Sequence, residues 1–280
     1  MSDTAPQIKV CGITSLRDAE LAVELGAWAV GMVFYGPSPR ACSTEEALRI
    51  VAALRRKAEL CGVFVNAPLD EVVQACDELG LTMLQLHGDE GPAYCAEVGH
   101  RTGAKVIKAV QVESIGEVRD VERFHTDFHL LDARSSVPGR EKLRGGTGEA
   151  FDWGLLAARR SKVPLILSGG LGPENAAQAI LAASSHGHRA RPFALDTASG
   201  TEASPGRKDP ERLRAFFDAV GEAAPVDSSP VDSSPVGTSP VGTSPVGTSP
   251  VGTSPVGTSP VDTAPTDPAP VEAPPVGTTV

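Results

Sequence analysis

Short apolar runs alternate eight times with amphipathic helical segments between positions 7 and 220 of this 280-residue chain. Most of the runs lack a sustained apolar–polar alternation, which is typical of parallel strands that are covered on both faces. The predicted strands are Lys9–Gly12, Ala29–Phe34, Leu60–Val65, Met83–His87, Lys105–Val110, Phe128–Asp132, Val163–Leu167 and Pro192–Leu195. Eight strand–helix units in roughly 215 residues predict an α/β fold, a closed (β/α)8 TIM barrel.

An open, doubly wound sheet is the alternative to the barrel. Against it, no GxGxxG motif follows the first strand, and the glycine-rich turns come late in the chain. Among the helices, Ser43–Glu46 predicts a capping box, and Gly172 with Pro173 predicts a helix start with proline in its first turn. Two apolar stripes at helical spacing consist of Ala47, Leu48, Ile50, Val51 and Leu54, and of Val72, Val73, Cys76 and Leu79.

The last 56 residues differ in composition from the rest of the chain. Residues 225–280 hold 13 of the 24 prolines and no Lys, Arg, Cys or aromatic residue. Most of this segment consists of five-residue repeats such as Val-Gly-Thr-Ser-Pro. One valine per repeat cannot build a core, and a proline at every fifth residue prevents a helix or a central strand. We therefore expect a barrel domain over residues 1–224 and a disordered low-complexity tail over 225–280. The tail is either a spacer or a ligand for an unidentified proline-binding partner.

Charge and cysteine content exclude several classes of protein. The chain carries 25 basic and 35 acidic residues, so it lacks the basic surface of nucleic-acid-binding proteins. No run approaches the roughly 18 apolar residues of a membrane span, and no signal-peptide pattern begins the chain. The five cysteines form no CxxC pair, which favours free thiols in the cytoplasm and no metal site.

Glycines cluster after each of the last three predicted strands. The clusters are Gly145–Gly148, Ser168–Gly170 and Ala198–Gly200. Converging backbone N–H groups without Cβ atoms in the way suit a phosphate, and the late loops of such barrels commonly bind one. The three clusters together predict a phosphate site at the carboxyl end of the barrel.

Four side chains at predicted strand ends are candidates for chemistry. Cys11, followed by Gly12, is either a base or a small buried hydrophobe. Asp132 is a candidate proton donor or a turn cap. Arg40 follows two prolines in a stiffened loop and suits a carboxylate ligand, or is a solvated surface residue. His87 is a ligand, a base or a hydrogen-bonded strand end, and no second ligand accompanies it at metal spacing.

In their order along the chain, these motifs resemble those of the phosphoribosylanthranilate isomerase family. The resemblance spans roughly residues 7–220, and ordered motifs at a consistent spacing are far more specific than any one of them. The matching segments are Lys9–Thr14 (KVCGIT), Val33–Arg40 (VFYGPSPR), Leu84–Gly88 (LQLHG), Leu130–Asp132 (LLD), Gly145–Trp153 (GGTGEAFDW), Ser168–Leu171 (SGGL) and Asp196–Glu202 (DTASGTE).

The resemblance implies a cofactor-free Amadori rearrangement in tryptophan biosynthesis. The substrate would be a small phosphorylated molecule, N-(5-phosphoribosyl)anthranilate, and the product 1-(2-carboxyphenylamino)-1-deoxyribulose 5-phosphate. Cys11 would be the general base and Asp132 the general acid, while Arg40 would hold the anthranilate carboxylate and His87 would contact the substrate. The phosphate would lie among Gly146, Gly169, Gly170, Ser199 and Gly200.

The sequence departs from the family pattern at three places. Ala198 stands where the family often has Ser, Thr201 stands where it often has Val, and residues 133–144 form a longer, cationic stretch that is a candidate lid. Two other functions remain as alternatives. A related histidine-pathway isomerase would use two carboxylates, and a non-catalytic scaffold would have no need of the Cys11 and Asp132 pair.

Overall fold

The computed structural model describes residues 5–133 and 152–223. Eight parallel strands close into a barrel in which each strand pairs with the next and β8 returns to β1. The strands are β1 Gln7–Cys11, β2 Ala29–Val33, β3 Glu59–Phe64, β4 Met83–Leu86, β5 Lys105–Val112, β6 Phe128–Ala133, β7 Leu165–Leu167 and β8 Ala194–Thr197. The predicted (β/α)8 TIM barrel is confirmed, and the open doubly wound sheet is wrong.

Helices connect the strands and cover the outside of the barrel. Within the described ranges, the α-helices are α1 Leu16–Glu24, α2 Thr44–Leu54, α3 Leu69–Leu79, α4 Pro92–Thr102, α5 Ile115–Asp120, α6 Ala176–Ser185 and α7 Pro210–Glu222. Short 3-10 helices cover Val121–Arg123, Trp153–Ala158 and Ser199–Thr201, and a small antiparallel hairpin consists of β9 Glu202–Ser204 and β10 Arg207–Lys208. The predicted tail 225–280, the glycine block 145–148 and most of the predicted lid lie outside the described residues.

The barrel has two separate apolar cores, because successive side chains on a strand point to opposite faces. The larger core lies between the sheet and the helices and includes Val10, Ile50 and Leu131. The smaller core fills the barrel interior with residues from all eight strands, among them Met83 and Leu130. Each strand is therefore buried on both faces, as the continuous apolar runs predict.

The amino end of the barrel interior is closed by aromatic rings. Trp28 packs edge-on against Phe128 and Phe193, with ring centroids 5.4 and 5.2 Å away, and those two rings are 5.3 Å apart. Such edge-to-face pairs are favourable beyond the area they bury. This end of the interior is therefore apolar, and the polar interior residues lie toward the carboxyl ends of the strands.

The predicted start of α2 is only partly right. Ser43 caps the helix by accepting from the Glu46 amide, but the Glu46 carboxylate accepts from the Leu16 amide at 2.7 Å and ties α1 to α2 instead of completing a capping box. A complete capping box begins α5, at Ser114 and Glu117. Leu48, assigned to the apolar stripe, is 49% exposed because it lies one residue, or about 100°, off the buried row.

The predicted helix start at Gly172 and Pro173 is wrong. α6 begins at Ala176, because the Asn175 side chain accepts from the Gly172 amide at 2.9 Å and donates to the Gly170 carbonyl at 3.0 Å. These bonds hold residues 170–175 as a turn. Strand β8 also runs two residues further than predicted, to Thr197, so Asp196 lies within the strand and not after it.

Candidate active site

The carboxyl end of the barrel interior forms a polar mouth, which we define as the inward-facing strand-end residues and the loops that follow them. Cys11 is the last residue of β1, and Asp132 is the penultimate residue of β6. The Cys11 side chain packs in the interior core, and Asp132 lies on the same inward face of β6 as Phe128 and Leu130. Both predicted catalytic side chains therefore face the interior at the same end, and both are buried.

Asp132 lies beside His87, a contact that the sequence did not predict. Oδ2 of Asp132 is 3.4 Å from His87 Nε2. The other ring nitrogen, Nδ1, is 3.3 Å from Nε2 of the Gln85 side-chain amide. His87 follows β4, and Gln85 lies two residues earlier on the same inward face. The imidazole is thus held between an amide and the predicted acid.

A buried ion pair lies directly below Cys11. Lys9, on the same inward face of β1, places Nζ 2.7 Å from Asp196 Oδ1, and the two side chains are 0% and 5% exposed. Asp196 Oδ2 accepts in turn from the Ser168 hydroxyl at 3.0 Å. Burial raises the pKa of the Cys11 thiol, and the neighbouring Lys9 ammonium acts in the opposite direction. Lys9 is therefore placed to offset part of the effect of burial on the pKa of this thiol.

Arg40 already has a carboxylate partner within the chain. Its Nε lies 2.9 and 3.1 Å from the two carboxylate oxygens of Glu202, and its Nη2 lies 2.8 Å from Oε2. Lys208 contacts the same carboxylate at 3.3 Å and donates to the Ala198 carbonyl at 2.9 Å. The arginine packs against the turn after Cys11, since a methyl group built on Gly12 would lie 2.8 Å from Arg40 Cδ.

Two of the three predicted phosphate-binding loops lie in contact with each other. A Cβ on Gly200 would overlap the Leu171 carbonyl, so the loop after β8 packs directly on the loop after β7. Gly169 and Gly170 both have positive φ, at 92° and 59°, and a Cβ on Gly169 would overlap the Ala133 amide at the end of β6. These three glycines allow close backbone approach, and Ser199 directly precedes Gly200. Gly146, the remaining predicted member, lies outside the described residues.

Residues 5–133 and 152–223 lack the features of a metal site or a membrane span. This part of the chain has no group of three or more His, Cys, Asp and Glu side chains that could hold a metal ion. Its helices are all too short or too polar to cross a bilayer. All five cysteines are buried and free. The polar mouth is the candidate active site because both predicted catalytic side chains, Cys11 and Asp132, lie there.

Comparison with known proteins identifies the family to which this barrel belongs. The family model described as N-(5'-phosphoribosyl)anthranilate (PRA) isomerase matches residues 8–219, which is most of the chain. The chain belongs to the N-(5'-phosphoribosyl)anthranilate isomerase family. The fold, the isomerase activity and the place in tryptophan biosynthesis that the motifs predicted are thereby confirmed.

Individual members of the N-(5'-phosphoribosyl)anthranilate isomerase family match the chain over nearly their whole length. The isomerase of Citrifermentans bemidjiense is 43% identical over 211 residues, which are 75% of this chain and 95% of the relative. The crystal structure of the Thermus thermophilus isomerase is 34% identical, with a TM-score of 0.67, over 77% of this chain and 98% of that one. A further isomerase structure, described as a complex with reduced 1-(o-carboxyphenylamino)-1-deoxyribulose 5-phosphate, is 35% identical, with a TM-score of 0.63, over 78% and 99%.

Three charged residues of the mouth were not singled out from the sequence of this isomerase. Lys9 and Glu202 lie inside motifs that were read for other residues, and Lys208 lies on the short strand β10. One sequence signal could have identified Lys9. Side chains two positions apart on a strand lie on the same face, so Lys9 must share the inward face of Cys11. A fully buried lysine is rare without a partner, so that position alone calls for an acidic residue nearby.

Proposed function

We propose that Cys11 and Asp132 carry out the Amadori rearrangement of N-(5-phosphoribosyl)anthranilate to 1-(2-carboxyphenylamino)-1-deoxyribulose 5-phosphate, Cys11 as general base and Asp132 as general acid. The observation that carries this proposal is that both side chains face the interior at the same end of the barrel. A relative's structure described as a complex with the reduced product supports the choice of a phosphorylated aminosugar.

The first step is ring opening. The nitrogen lone pair forms a double bond to C1 as the C1–O bond breaks, and Asp132 donates its proton to the departing ring oxygen. His87, 3.4 Å from Asp132, is placed to orient this carboxyl group and to contact the substrate. General acid catalysis of this kind contributes a factor of roughly 10² to 10⁴.

The second step removes the C2 hydrogen. The iminium at C1 acidifies C2–H, so the Cys11 thiolate takes that proton and the electron pair forms the C1–C2 double bond of an enolamine. The C2 hydroxyl of the enolamine then loses its proton to the Asp132 carboxylate, and C1 takes a proton from the Cys11 thiol, which gives the ketone. Both residues return to their starting protonation states, and no cofactor enters the scheme.

Binding groups hold the substrate at its two ends. The phosphate would lie on the loops of Gly169, Gly170, Ser199 and Gly200, with Gly146 as a further proposed contact, and would anchor the sugar so that C1 and C2 meet the catalytic pair. Arg40 would hold the anthranilate carboxylate. Glu202 takes the Nε–H and one N–H of Nη2, so the substrate would bind through the Nη1 hydrogens and the second N–H of Nη2, or displace Glu202.

We also propose the cytoplasm as the site of the reaction. The five cysteines are free, including three that lie outside the barrel interior, and free thiols persist in a reducing compartment. Nucleic acid is not a proposed partner, since acidic residues outnumber basic ones.

The decisive experiment measures turnover of N-(5-phosphoribosyl)anthranilate by the full-length chain and by single variants. Cys11→Ser and Asp132→Asn should each lower kcat by roughly 10² to 10⁴ while the circular dichroism spectrum stays unchanged. Cys95→Ser, at a buried cysteine of the outer core, is the matched control and should retain kcat. If either active-site variant turns over near the wild-type rate, its assigned role is wrong. Growth without tryptophan of a strain lacking this isomerase tests the same variants in cells.

A further inference from the structure

The ion pair below Cys11 is not used by the mechanism above, although both of its side chains are buried in the barrel interior. Lys9 and Asp196 face each other as register partners of β1 and β8, and their side chains meet at 2.7 Å. Burying two charges costs several kcal/mol unless further hydrogen bonds compensate. An apolar pair would fill this place at a lower cost, so the position of these charges calls for a reason.

The position of Lys9 relative to the sulfur suggests that reason. A methyl group built on Gly31 of β2 would lie 2.8 Å from Cys11 Sγ and 3.3 Å from Lys9 Nζ. The sulfur and the ammonium therefore lie against the same glycine, which leaves no side chain between them. Burial alone would lower the pKa of Lys9, but attraction to Asp196 and to the Cys11 sulfur raises it, so Lys9 is a permanent cation.

We propose that Lys9 is a positioning residue that stabilises the thiolate of Cys11, and that Asp196 holds the Lys9 ammonium in place for this task. Asp196 is itself held by the Ser168 hydroxyl, so two hydrogen bonds connect the residue after β7 through β8 to β1. The inference rests on the proposed role of Cys11 as the base.

Other charged and titratable groups face the sulfur and set limits on the effect. Asp196 opposes ionisation of Cys11, and Lys208 from β10 favours it along with Lys9. Cys61 from β3 lies on the same interior face, where burial raises its pKa to about 12, so it stays a neutral thiol. Lys9 acts on the sulfur more strongly than Lys208 does, and it is therefore the residue to change.

The test follows Cys11 directly, independently of turnover. The wild-type chain and its variants are alkylated with iodoacetamide over a range of pH, and the rate at the Cys11 peptide is read by mass spectrometry. Lys9→Met should raise the apparent pKa of Cys11 by about 1 to 3 units, the shift that a nearby charge produces. The acid limb of the kcat/KM profile should move by the same amount. Lys9→Arg keeps the charge, so its Cys11 pKa should stay close to the wild-type value.

A matched control separates this effect from simple loss of stability. Lys108 forms an equally buried pair with Glu90, at 2.8 Å and 3% exposure for each side chain, but on the outer face of β5. Lys108→Met removes a comparable ion pair and should leave the alkylation pKa of Cys11 at its wild-type value. If Lys9→Met leaves that pKa unchanged, or if Lys108→Met shifts it equally, the proposal is wrong.

A second variant answers the question even if Lys9→Met does not fold. Gly31→Ala keeps both charges but places a methyl group against the sulfur and the ammonium, and should raise the Cys11 pKa in the same direction. An unchanged pKa in a folded Gly31→Ala chain would also overturn the proposal. Turnover of Cys11→Ser separates a failure of the proposed function from a failure of this inference. If Cys11→Ser is active, the proposed role of Cys11 as the base fails. If Cys11→Ser is inactive and Lys9→Met has the wild-type Cys11 pKa, only the role of Lys9 fails.

Discussion

The inner and outer faces of this barrel both contain buried charged or titratable residues, but in different surroundings. On the inner face, Lys9, Asp196 and Asp132 lie toward the carboxyl end, in the polar mouth that also contains Cys11. On the outer face, Lys108 binds Glu90 and the Gly88 carbonyl, both at 2.8 Å, and thereby holds the turn after β4. We therefore expect equal burial to have different consequences: changes to the polar groups inside the barrel should affect the reaction, and changes to those outside should affect folding.

The largest expected effect tests the outer face. Lys108→Met leaves the Glu90 carboxylate buried among the amides of Asn66 and Gly88 without its cation. Removing one partner of a buried pair typically costs about 3 to 5 kcal/mol of unfolding free energy. Urea denaturation of wild type and variant measures this loss. A loss below about 1 kcal/mol would mean that the outer pair contributes no more than a surface salt bridge does.

The next effect is a pH dependence of stability from His129, on the outer face of β6. Burial lowers its pKa to about 4 from an ordinary 6.5, and its Nε2–H donates to the Phe124 carbonyl at 2.8 Å. The folded chain therefore holds a neutral imidazole where the unfolded chain binds a proton. The resulting stability is fully present above pH 6.5 and is lost as pH falls from 6.5 to about 4, with a size of the order of 3 kcal/mol.

Denaturation curves at several pH values measure that loss. His129→Gln, which keeps an N–H donor but does not titrate, should have a shallower decline of unfolding free energy between pH 6.5 and 4 than the wild type. Equal slopes would show that other groups cause the acid sensitivity. Because His129 faces away from the mouth, the pH profile of kcat/KM should be the same in both chains.

A smaller effect is expected at the edge of the mouth, from Glu202. Glu202→Gln weakens the charge-assisted bonds that hold Arg40, each worth about 1.5 to 3 kcal/mol, and should raise KM by roughly tenfold or more with little change in kcat. Steady-state kinetics measure both constants. Glu174→Gln is the matched control, because its pair with Arg212 is exposed and at 3.3 Å. A lower KM in Glu202→Gln would mean instead that Glu202 competes with the substrate for Arg40.

The sequence predicted those features of the barrel that depend on neighbours along the chain. The strands are local apolar runs, and Cys11, His87 and Asp132 could be assigned to the mouth because parallel strands end at one edge. The contacts between distant residues could not be predicted in this way. Lys9 and Asp196 are 187 positions apart in the sequence, and neither segment by itself indicates that the two side chains form a pair. One local feature was also missed, since the Asn175 side chain bonds to Gly170 and Gly172 and holds these residues as a turn, so that α6 begins only at Ala176.

The smallest predicted effect concerns Ala198, where the family often has serine. Its side chain packs at the end of the interior core, and its carbonyl accepts from Lys208 and from the Thr201 hydroxyl, at 2.9 and 3.2 Å. Ala198→Ser places one more hydroxyl next to Ser199 and Gly200. If the phosphate binds there, the added hydrogen bond of about 1 kcal/mol should lower KM roughly fivefold at unchanged kcat.

The same substitution on the outer face should change stability and not substrate binding. Ala183→Ser buries a hydroxyl between α6 and the sheet, where it should cost about 1 to 3 kcal/mol of unfolding free energy and leave KM unchanged. Measured together, the two variants separate position from chemistry, since the added atom is identical. A KM that stays constant or rises in Ala198→Ser would argue that the phosphate lies elsewhere, because a free hydroxyl beside a bound dianion has no reason to weaken binding.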